Sequence, residues 1–426
     1  MAHDWGVTAL VPTRVSASDV EAAFVRLRSV VHAPPLLRND RLSAATGANV
    51  WVKREDQHPV RSYKLRGAYN FIAQLTADER ARGVVAASAG NHAQGVAYAC
   101  AALGLRGRIY VPGTTPRQKR DRIRGLGGSA IELIVAGETY DDAAAQAHAE
   151  SESTGAVEVH AFDHRDTIAG QGTLAVEVVE QLGHAPDLLV VPVGGGGMLA
   201  GCVTWLAARH PEVEVVGVEP TGARSMAAAI EAGAPVELTN VDTFCDGAAV
   251  RRAGSLTYPV IAKHGVRMVD VAEGRVCTEM LDLYQVDGVI AEPAGALASA
   301  GLLDQLSPEP GSDVVVVLSG GNNDVSRYAD ILERSLVNEG RKHYFLVNFP
   351  QEPGALRRFL ADVLGPNDDV TLFEYVKRSN RETGPALVGI ELSNPADLAG
   401  LIARMEASTM TFEIIPADSP THRYLI

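Results

Sequence analysis

Apolar positions along this chain fall into blocks of different period. Val20, Phe24, Val25 and Leu27 share one helical face, so a helix is predicted from Asp19 to Val30, entered at Ser18-Asp19-Val20-Glu21 and stopped at Ala33-Pro34-Pro35. Val50-Trp51-Val52-Lys53 then reads as a short strand. Beyond it, short apolar runs alternate with segments of helical period. Val84 to Ser88, Arg108 to Val111 and Ala130 to Val135 predict strands, while Ala93 to Leu103, Pro116 to Leu126 and Tyr140 to Ser153 predict helices. The alternation continues, with strands at Leu188 to Val193, Val213 to Glu219 and Val314 to Leu318. Helices are predicted at Thr173 to Leu182, Met198 to Arg209, Arg275 to Gln285 and Ala294 to Leu306. Such alternation predicts parallel sheets covered on both faces, hence an α/β protein of two domains.

After the polar run Asn338-Glu339-Gly340-Arg341-Lys342, read as a linker, the pattern shortens. His343 to Phe349, Val370 to Arg378, Ala386 to Leu392 and Phe412 to Ile415 are strand-like, and Gly354 to Leu364 and Pro395 to Ala407 helical. A β-α-β-β-α-β order is that of the ferredoxin-like α+β fold. The expected layout is residues 1–52 with 151–335 in a large domain, 53–150 in a small one and 343–426 in a third.

Composition narrows the partners. A net charge of −14 over 426 residues disfavours a nucleic-acid groove and leaves a small molecule as the expected ligand. Cys100, Cys202, Cys245 and Cys277 lie far apart without a Cys-x-x-Cys pair, so buried free thiols are expected rather than a zinc knuckle or disulfides. Met1-Ala2-His3-Asp4-Trp5 lacks a basic region followed by an apolar run, and no apolar stretch nears the roughly 20 residues of a membrane span. The expectation is a cytoplasmic protein with no membrane partner.

Candidate chemistry begins at Arg61-Ser62-Tyr63-Lys64-Leu65-Arg66-Gly67-Ala68. Leu65, Ala68, Tyr69, Ile72 and Leu75 follow at helical spacing, which puts Lys64 in a first turn with Ser62 as the expected cap. The positive end of the helix dipole favours a neutral amine there, as a Schiff-base lysine requires. A solvated lysine has the same spacing, so Lys64 alone decides nothing.

Three small-residue turns follow predicted strands, where open α/β sheets bind ligands. Ser88-Ala89-Gly90-Asn91-His92-Ala93-Gln94-Gly95 offers a hydroxyl, an amide and N–H groups suited to a carboxylate. Gly194-Gly195-Gly196-Gly197-Met198 can close around a phosphate at a helix N-terminus. Gly195-x-Gly197-x-x-Ala200 also fits the dinucleotide pattern, with Glu219 placed for a ribose, so an NAD-dependent dehydrogenase competes on this loop. Ser319-Gly320-Gly321-Asn322 sets a hydroxyl where it could meet a ring nitrogen. Pyridoxal phosphate needs an imine-forming lysine, a phosphate cup, a partner for its ring nitrogen and a group near its phenolic oxygen. Lys64, Gly194 to Gly197, Ser319 and Asn91 provide all four, and the nicotinamide reading leaves three of them idle.

These stretches, with Ala169-Gly170-Gln171-Gly172-Thr173, Asp246-Gly247 and Glu292-Pro293-Ala294-Gly295-Ala296, make the sequence resemble the fold-type II pyridoxal-phosphate enzymes (tryptophan synthase β-like). Among these it most resembles the threonine dehydratases of isoleucine biosynthesis, over nearly the whole chain. The resemblance implies that Lys64 carries the cofactor imine, Tyr63 packs near it and Asn91 meets the phenolic oxygen. Gly194, Gly195, Gly196, Gly197 and Met198 are implied to bind phosphate, and Ser319 to face the ring nitrogen. Ser88, Ala89, Gly90 and Asn91 are implied to hold the substrate carboxylate.

The implied reaction is α,β-elimination of L-threonine to 2-oxobutanoate and ammonia, with Lys64 taking the Cα proton. A serine dehydratase and a β-replacement enzyme are the same-cofactor alternatives, and a non-catalytic sensor is the alternative of another class. Ser319, a neutral partner, leaves the ring a weaker electron sink and favours prompt elimination. Related serine racemases carry a hydroxyl where this chain has Ala89, so efficient racemisation is not expected. Relatives hold a cation with two carboxylates, whereas Gly217 to Ser225 offers Glu219 and then Ser225, so no metal is expected. The C-terminal block resembles the family's ACT-like regulatory domain in one copy, with Phe349-Pro350-Gln351-Glu352-Pro353-Gly354-Ala355-Leu356 at its first turn. That implies feedback inhibition by isoleucine in a homodimer or homotetramer; an oligomerisation module without ligand is the alternative.

Overall fold

The computed structural model describes residues 15–375, 382–417 and 419–425. The Met1 to Trp5 stretch and the Arg378 end of one predicted strand lie outside the described residues. Contacts divide the chain into two units, Met1–Glu273 with Leu283–Asn323 and Gly274–Asp282 with Asp324–Ile426.

The first unit contains β1 (Leu36–Arg38), β2 (Asn49–Arg54), β3 (Val84–Ala87), β4 (Gly107–Val111), β5 (Ile131–Val135) and β6 (Val157–Glu158). It continues with β7 (Leu188–Pro192), β8 (Glu214–Pro220), β9 (Arg267–Val271) and β10 (Asp313–Leu318). One six-stranded sheet has the order β1-β2-β10-β7-β8-β9, and a four-stranded sheet the order β5-β4-β3-β6. Apart from the antiparallel edge strand β1, all these pairings are parallel. Parallel strands are covered on both faces and so demand unbroken apolar runs, which β7 and β10 supply with buried side chains at nearly every position. The chain starts the larger sheet with β1 and β2, leaves to build the smaller one, and returns at β7.

Several predicted boundaries move. The first helix is Ala17–Leu27, and Ser16, not Ser18, caps it through a reciprocal box with Asp19. The helix predicted from Thr173 begins at Arg165 and runs to Leu182. Its small residues let it lie backbone to backbone on the Gly197–Arg209 helix at Gly172 and Gly201, so packing overrides the poor helix propensity of glycine. Asn338 to Lys342 is not a free linker. Asn338 ends the Tyr328–Asn338 helix, and buried Lys342 opens the next strand with its Nζ 3.1 Å from Glu333.

In the second unit β11 (Lys342–Pro350), β12 (Asp369–Tyr375), β13 (Thr383–Glu391) and β14 (Thr411–Ile415) form an antiparallel sheet in the order β12-β13-β11-β14. Phe345, Phe349, Phe359, Val388, Ile390 and Leu401 pack its core. The helix predicted over Gly354 to Leu364 is Ala355–Arg358 followed by a π-helical turn, Phe359–Val363. Phe359 sits edge-on to Phe349, with ring centroids 5.1 Å apart.

Candidate active site

Lys64 is the first residue of the Lys64–Ala73 helix. The approach is pinned to the turn after β10, where Tyr63 N donates to Ser319 O at 3.0 Å and Gly321 N to Arg61 O at 2.9 Å. Arg61, one of those anchors, has a φ of 55°, a left-handed conformation sustained by the pinned turn. Ser62 does not cap the helix. Tyr63 occupies the cap position without a side-chain bond, and Ser62 Oγ is buried with no hydrogen-bond partner in the protein.

Lys64 Nζ donates to the neutral carbonyl of Ala161 at 3.2 Å and lies 5.1 Å from the centroid of the Tyr63 ring. Behind it the helix is fixed by a buried ionic network. Arg66 donates to both oxygens of Glu55, at 2.7 and 2.8 Å, and to both of Glu177, at 2.7 and 2.6 Å. Lys53 Nζ reaches Glu177 at 2.8 Å, and His58 Nε2 lies 2.9 Å from Glu55. Burial alone would raise the Glu55 carboxyl, yet Arg66 and His58 hold it well below the usual range. The network joins β2, the lysine helix and the Arg165–Leu182 helix, so Lys64 projects from a rigid base.

Asn91 begins the Asn91–Leu103 helix after β3. Its Nδ2 donates to Glu292 Oε1 at 2.6 Å, and its Oδ1 accepts from Asn322 Nδ2 at 2.7 Å. Burial, then the charge of Asp246, pushes the Glu292 carboxyl up to about 7. Ser88 Oγ accepts from Gly90 N at 3.2 Å, so Ser88, Ala89 and Gly90 form a half-buried turn beside Asn91. His92 is buried with Nε2 2.6 Å from Val159 O; burial first, then the Lys64 charge, holds it down to about 3, hence neutral.

Gly194 to Gly197 follow β7 and open the Gly197–Arg209 helix. Gly196, at the cap, has a φ of 88°, and a Cβ at Gly195 would enter the Phe162 ring. Thr257 Oγ1 anchors the loop by donating to Gly195 O at 2.6 Å. The Met198 side chain is directed into the hydrophobic core, which leaves its backbone as the only part able to serve a ligand. Ser319 is buried at the end of β10, its Oγ donating to Ala294 O at 3.2 Å.

A continuous set of contacts joins these parts. Gly195 abuts Phe162, its neighbour Ala161 holds Lys64, Tyr63 is bonded to Ser319, and Asn322 is bonded to Asn91. Glu219 lies apart from that set. Its oxygens accept from Met226 N at 2.7 Å and Ala227 N at 2.9 Å at the start of the Ser225–Ala232 helix, so it is not free for a ribose as the dinucleotide alternative requires. Among the described residues no group of three or more His, Cys, Asp or Glu side chains is arranged to hold a metal ion.

Comparison with known proteins identifies the family. Residues 28–320 match the family model for pyridoxal-phosphate dependent enzymes, and residues 333–425 that for the C-terminal regulatory domain of threonine dehydratase. The biosynthetic L-threonine dehydratase IlvA of Mycobacterium tuberculosis is 63% identical over 414 residues, 97% of this chain and 96% of the relative. The chain belongs to the biosynthetic threonine dehydratases. The dehydratase of the same name from Corynebacterium glutamicum is 55% identical over 425 residues, 99% of this chain and 97% of the relative. Among solved structures, the processed threonine deaminase isoform 2 of Solanum lycopersicum superposes with a TM-score of 0.72 at 35% identity, covering 77% of this chain and 94% of that one.

As a threonine dehydratase the chain uses pyridoxal phosphate, and its residues fit that group. The glycine loop presents bare backbone, since a Cβ at Gly195, Gly196 or Gly197 would run into Phe162, Met226 or Gln171, and two buried polar atoms near Lys64 and that loop, Ser62 Oγ and Gln171 Oε1, have no partner in the protein. Sequence reasoning missed Phe162 and Ala161, and it gave no part to Gln171 or Glu292, which lie in stretches it had singled out. Ala161 and Phe162 carry no signal, because their contribution is a carbonyl and a ring face set by the fold. Glu292 could have been suspected, since an acid directly before a helix-opening proline sits at a cap.

Proposed function

We propose that this dehydratase converts L-threonine to 2-oxobutanoate and ammonia by α,β-elimination, the step that opens isoleucine biosynthesis. The observation that carries the reading is the contact path from the glycine loop through Ala161 and Lys64 to Ser319, with Asn91 held at its far end.

Bound pyridoxal phosphate supplies the electron sink for charge developing at the substrate Cα. The chain's own residues do the rest. Lys64 holds the cofactor and, when released from it, takes the Cα proton as general base. Tyr63 packs beside it. N–H groups of Gly194 to Met198, at the positive end of the Gly197–Arg209 helix, bind the phosphate. Asn91 donates to the phenolic oxygen, and Ser319, an uncharged hydroxyl, faces the ring nitrogen. Ser88 to Asn91, at the start of the Asn91–Leu103 helix, hold the substrate carboxylate. With a methyl at Ala89, no acid serves the opposite face of Cα, so racemisation stays inefficient.

Isoleucine acts as the effector through the C-terminal unit, working in a cytoplasmic homodimer or homotetramer. A cavity of about 210 Å³ lined by Phe349, Leu356, Phe373 and Tyr375 supports an apolar ligand there. Exposed Leu356 and Leu360 offer apolar surface for assembly. The test is turnover by the purified holoenzyme: L-threonine should yield 2-oxobutanoate, and added isoleucine should slow it. Faster turnover of L-serine would reassign the substrate, and an unchanged rate with isoleucine would leave the C-terminal unit to assembly alone.

A further inference from the structure

We propose that Glu292 is a positioning residue for the reaction: with Asn322 it fixes the orientation of the Asn91 amide, leaving one Nδ2 hydrogen free for the cofactor's ring oxygen. This rests on the assignment of Asn91 above and adds two residues to it.

The orientation follows from counting amide hydrogens. Asn322 Nδ2 donates to Val60 O at 2.8 Å and to Asn91 Oδ1 at 2.7 Å, which uses both of its hydrogens. Asn91 Oδ1 must therefore face Asn322, since the flipped amide would set two NH2 groups against each other. Asn91 Nδ2 is left pointing the other way, gives one hydrogen to Glu292 Oε1 at 2.6 Å and keeps the second. Without Glu292 a single bond, from Asn322, would be left to hold the amide, which would then turn about it and carry the free hydrogen away from its place.

Glu292 is itself held. It is 5% exposed and occupies the cap position of the Pro293–Gln305 helix. Its backbone N donates to Gly320 O at 3.1 Å, and its carboxyl accepts the backbone N–H of Asn322. Two strand-end turns and one helix start thus meet at one carboxyl: the Asn91 turn after β3, the Ser319 turn after β10 and the start of the Pro293 helix. Either form of this carboxyl can accept from Asn91, so an amide oxygen can stand in for it and a hydrocarbon cannot.

The visible absorbance band of the full-length holoenzyme and its cofactor dissociation constant read the surroundings of the ring without turnover. Asn91→Ala should displace the band and weaken cofactor binding about tenfold, the worth of one hydrogen bond. Glu292→Leu should reproduce that displacement with Asn91 intact, while Glu292→Gln should keep the wild-type band. Asn322→Leu, which leaves the carboxyl in place, should shift the band in the same direction as Glu292→Leu. A wild-type band in Asn91→Ala would overturn the assignment of Asn91 itself. A displaced band in Asn91→Ala beside wild-type bands in Glu292→Leu and Asn322→Leu would overturn the positioning roles of Glu292 and Asn322 and leave the assignment of Asn91 standing. If Glu292→Leu does not fold, the Gln and Asn322 variants decide: a displaced Glu292→Gln or an unmoved Asn322→Leu contradicts the proposal.

Discussion

The two units of this chain handle polar groups in opposite ways. In the first, Lys53, Glu55, His58, Arg66 and Glu177 are buried together directly behind Lys64. In the second, the core cluster is phenylalanine, aliphatics and methionine, and its ion pairs, exposed as in Arg358 with Glu352 or partly buried as in Lys342 with Glu333, lie outside that core. The architectures explain the contrast. Parallel strands deliver their loops to one shared end, so polar groups concentrate there and need a rigid polar foundation. An antiparallel sheet splits its loops between two ends and has no such focus. The residues proposed for the chemistry lie in the first unit, and the second contains the stretch that matches the regulatory-domain model.

The largest expected effect tests that foundation. Arg66→Met leaves Glu55 and Glu177 buried without their shared guanidinium and should cost about 3–5 kcal/mol. Denaturant unfolding followed by Trp51 and Trp205, both in the first unit, reads it. Arg358→Ala, at an exposed pair of the second unit, should cost about 0–1 kcal/mol in denaturant unfolding followed by far-UV circular dichroism, which reports both units. Equal losses would erase the contrast.

Next in size is the phosphate cradle. Gly195→Ala drives a Cβ into Phe162 and should weaken cofactor affinity by about 1–3 kcal/mol, the usual toll of overpacking. Unchanged affinity in a fluorescence titration would remove the loop from the cofactor site.

The smallest effect concerns pH. Burial and the Lys64 charge hold His92 at about 3, below its ordinary 6.5. Between these values the unfolded chain takes up a proton that the folded one refuses, so stability falls as pH drops, by about 1.4 kcal/mol per pH unit. His92→Gln should flatten the decline of folding free energy between pH 6.5 and 5 by that slope. An unaltered slope would show His92 to be protonated in the folded protein.

The sequence was most legible where residue type alone carries the chemistry. Lys64, the four-glycine loop and Ser319 decide nothing singly, but as a set they can be nominated for one cofactor from residue type, because an amine, a side-chain-free backbone and a strand-end hydroxyl are visible without coordinates. Strands buried on both faces, such as β7 and β10, were equally plain. Tertiary choices were not. Ser62 looked like a cap and is an unpartnered buried hydroxyl, because pinning of Tyr63 to Ser319 starts the helix without one. The glycines from Gly170 to Gly172 hid the first turns of a helix whose neighbour needs their small size. Glu292, Asn322 and Ala161 act through partners more than 90 residues away, a distance at which neither period nor motif carries information.

The central claim is that Lys64 holds the cofactor. Borohydride reduction of the full-length holoenzyme, followed by proteolysis and mass mapping, tests it directly. The account predicts a pyridoxyl label on the peptide containing Lys64 and loss of the visible band. A label on another lysine, such as Lys53 or Lys119, or no label at all, would contradict it.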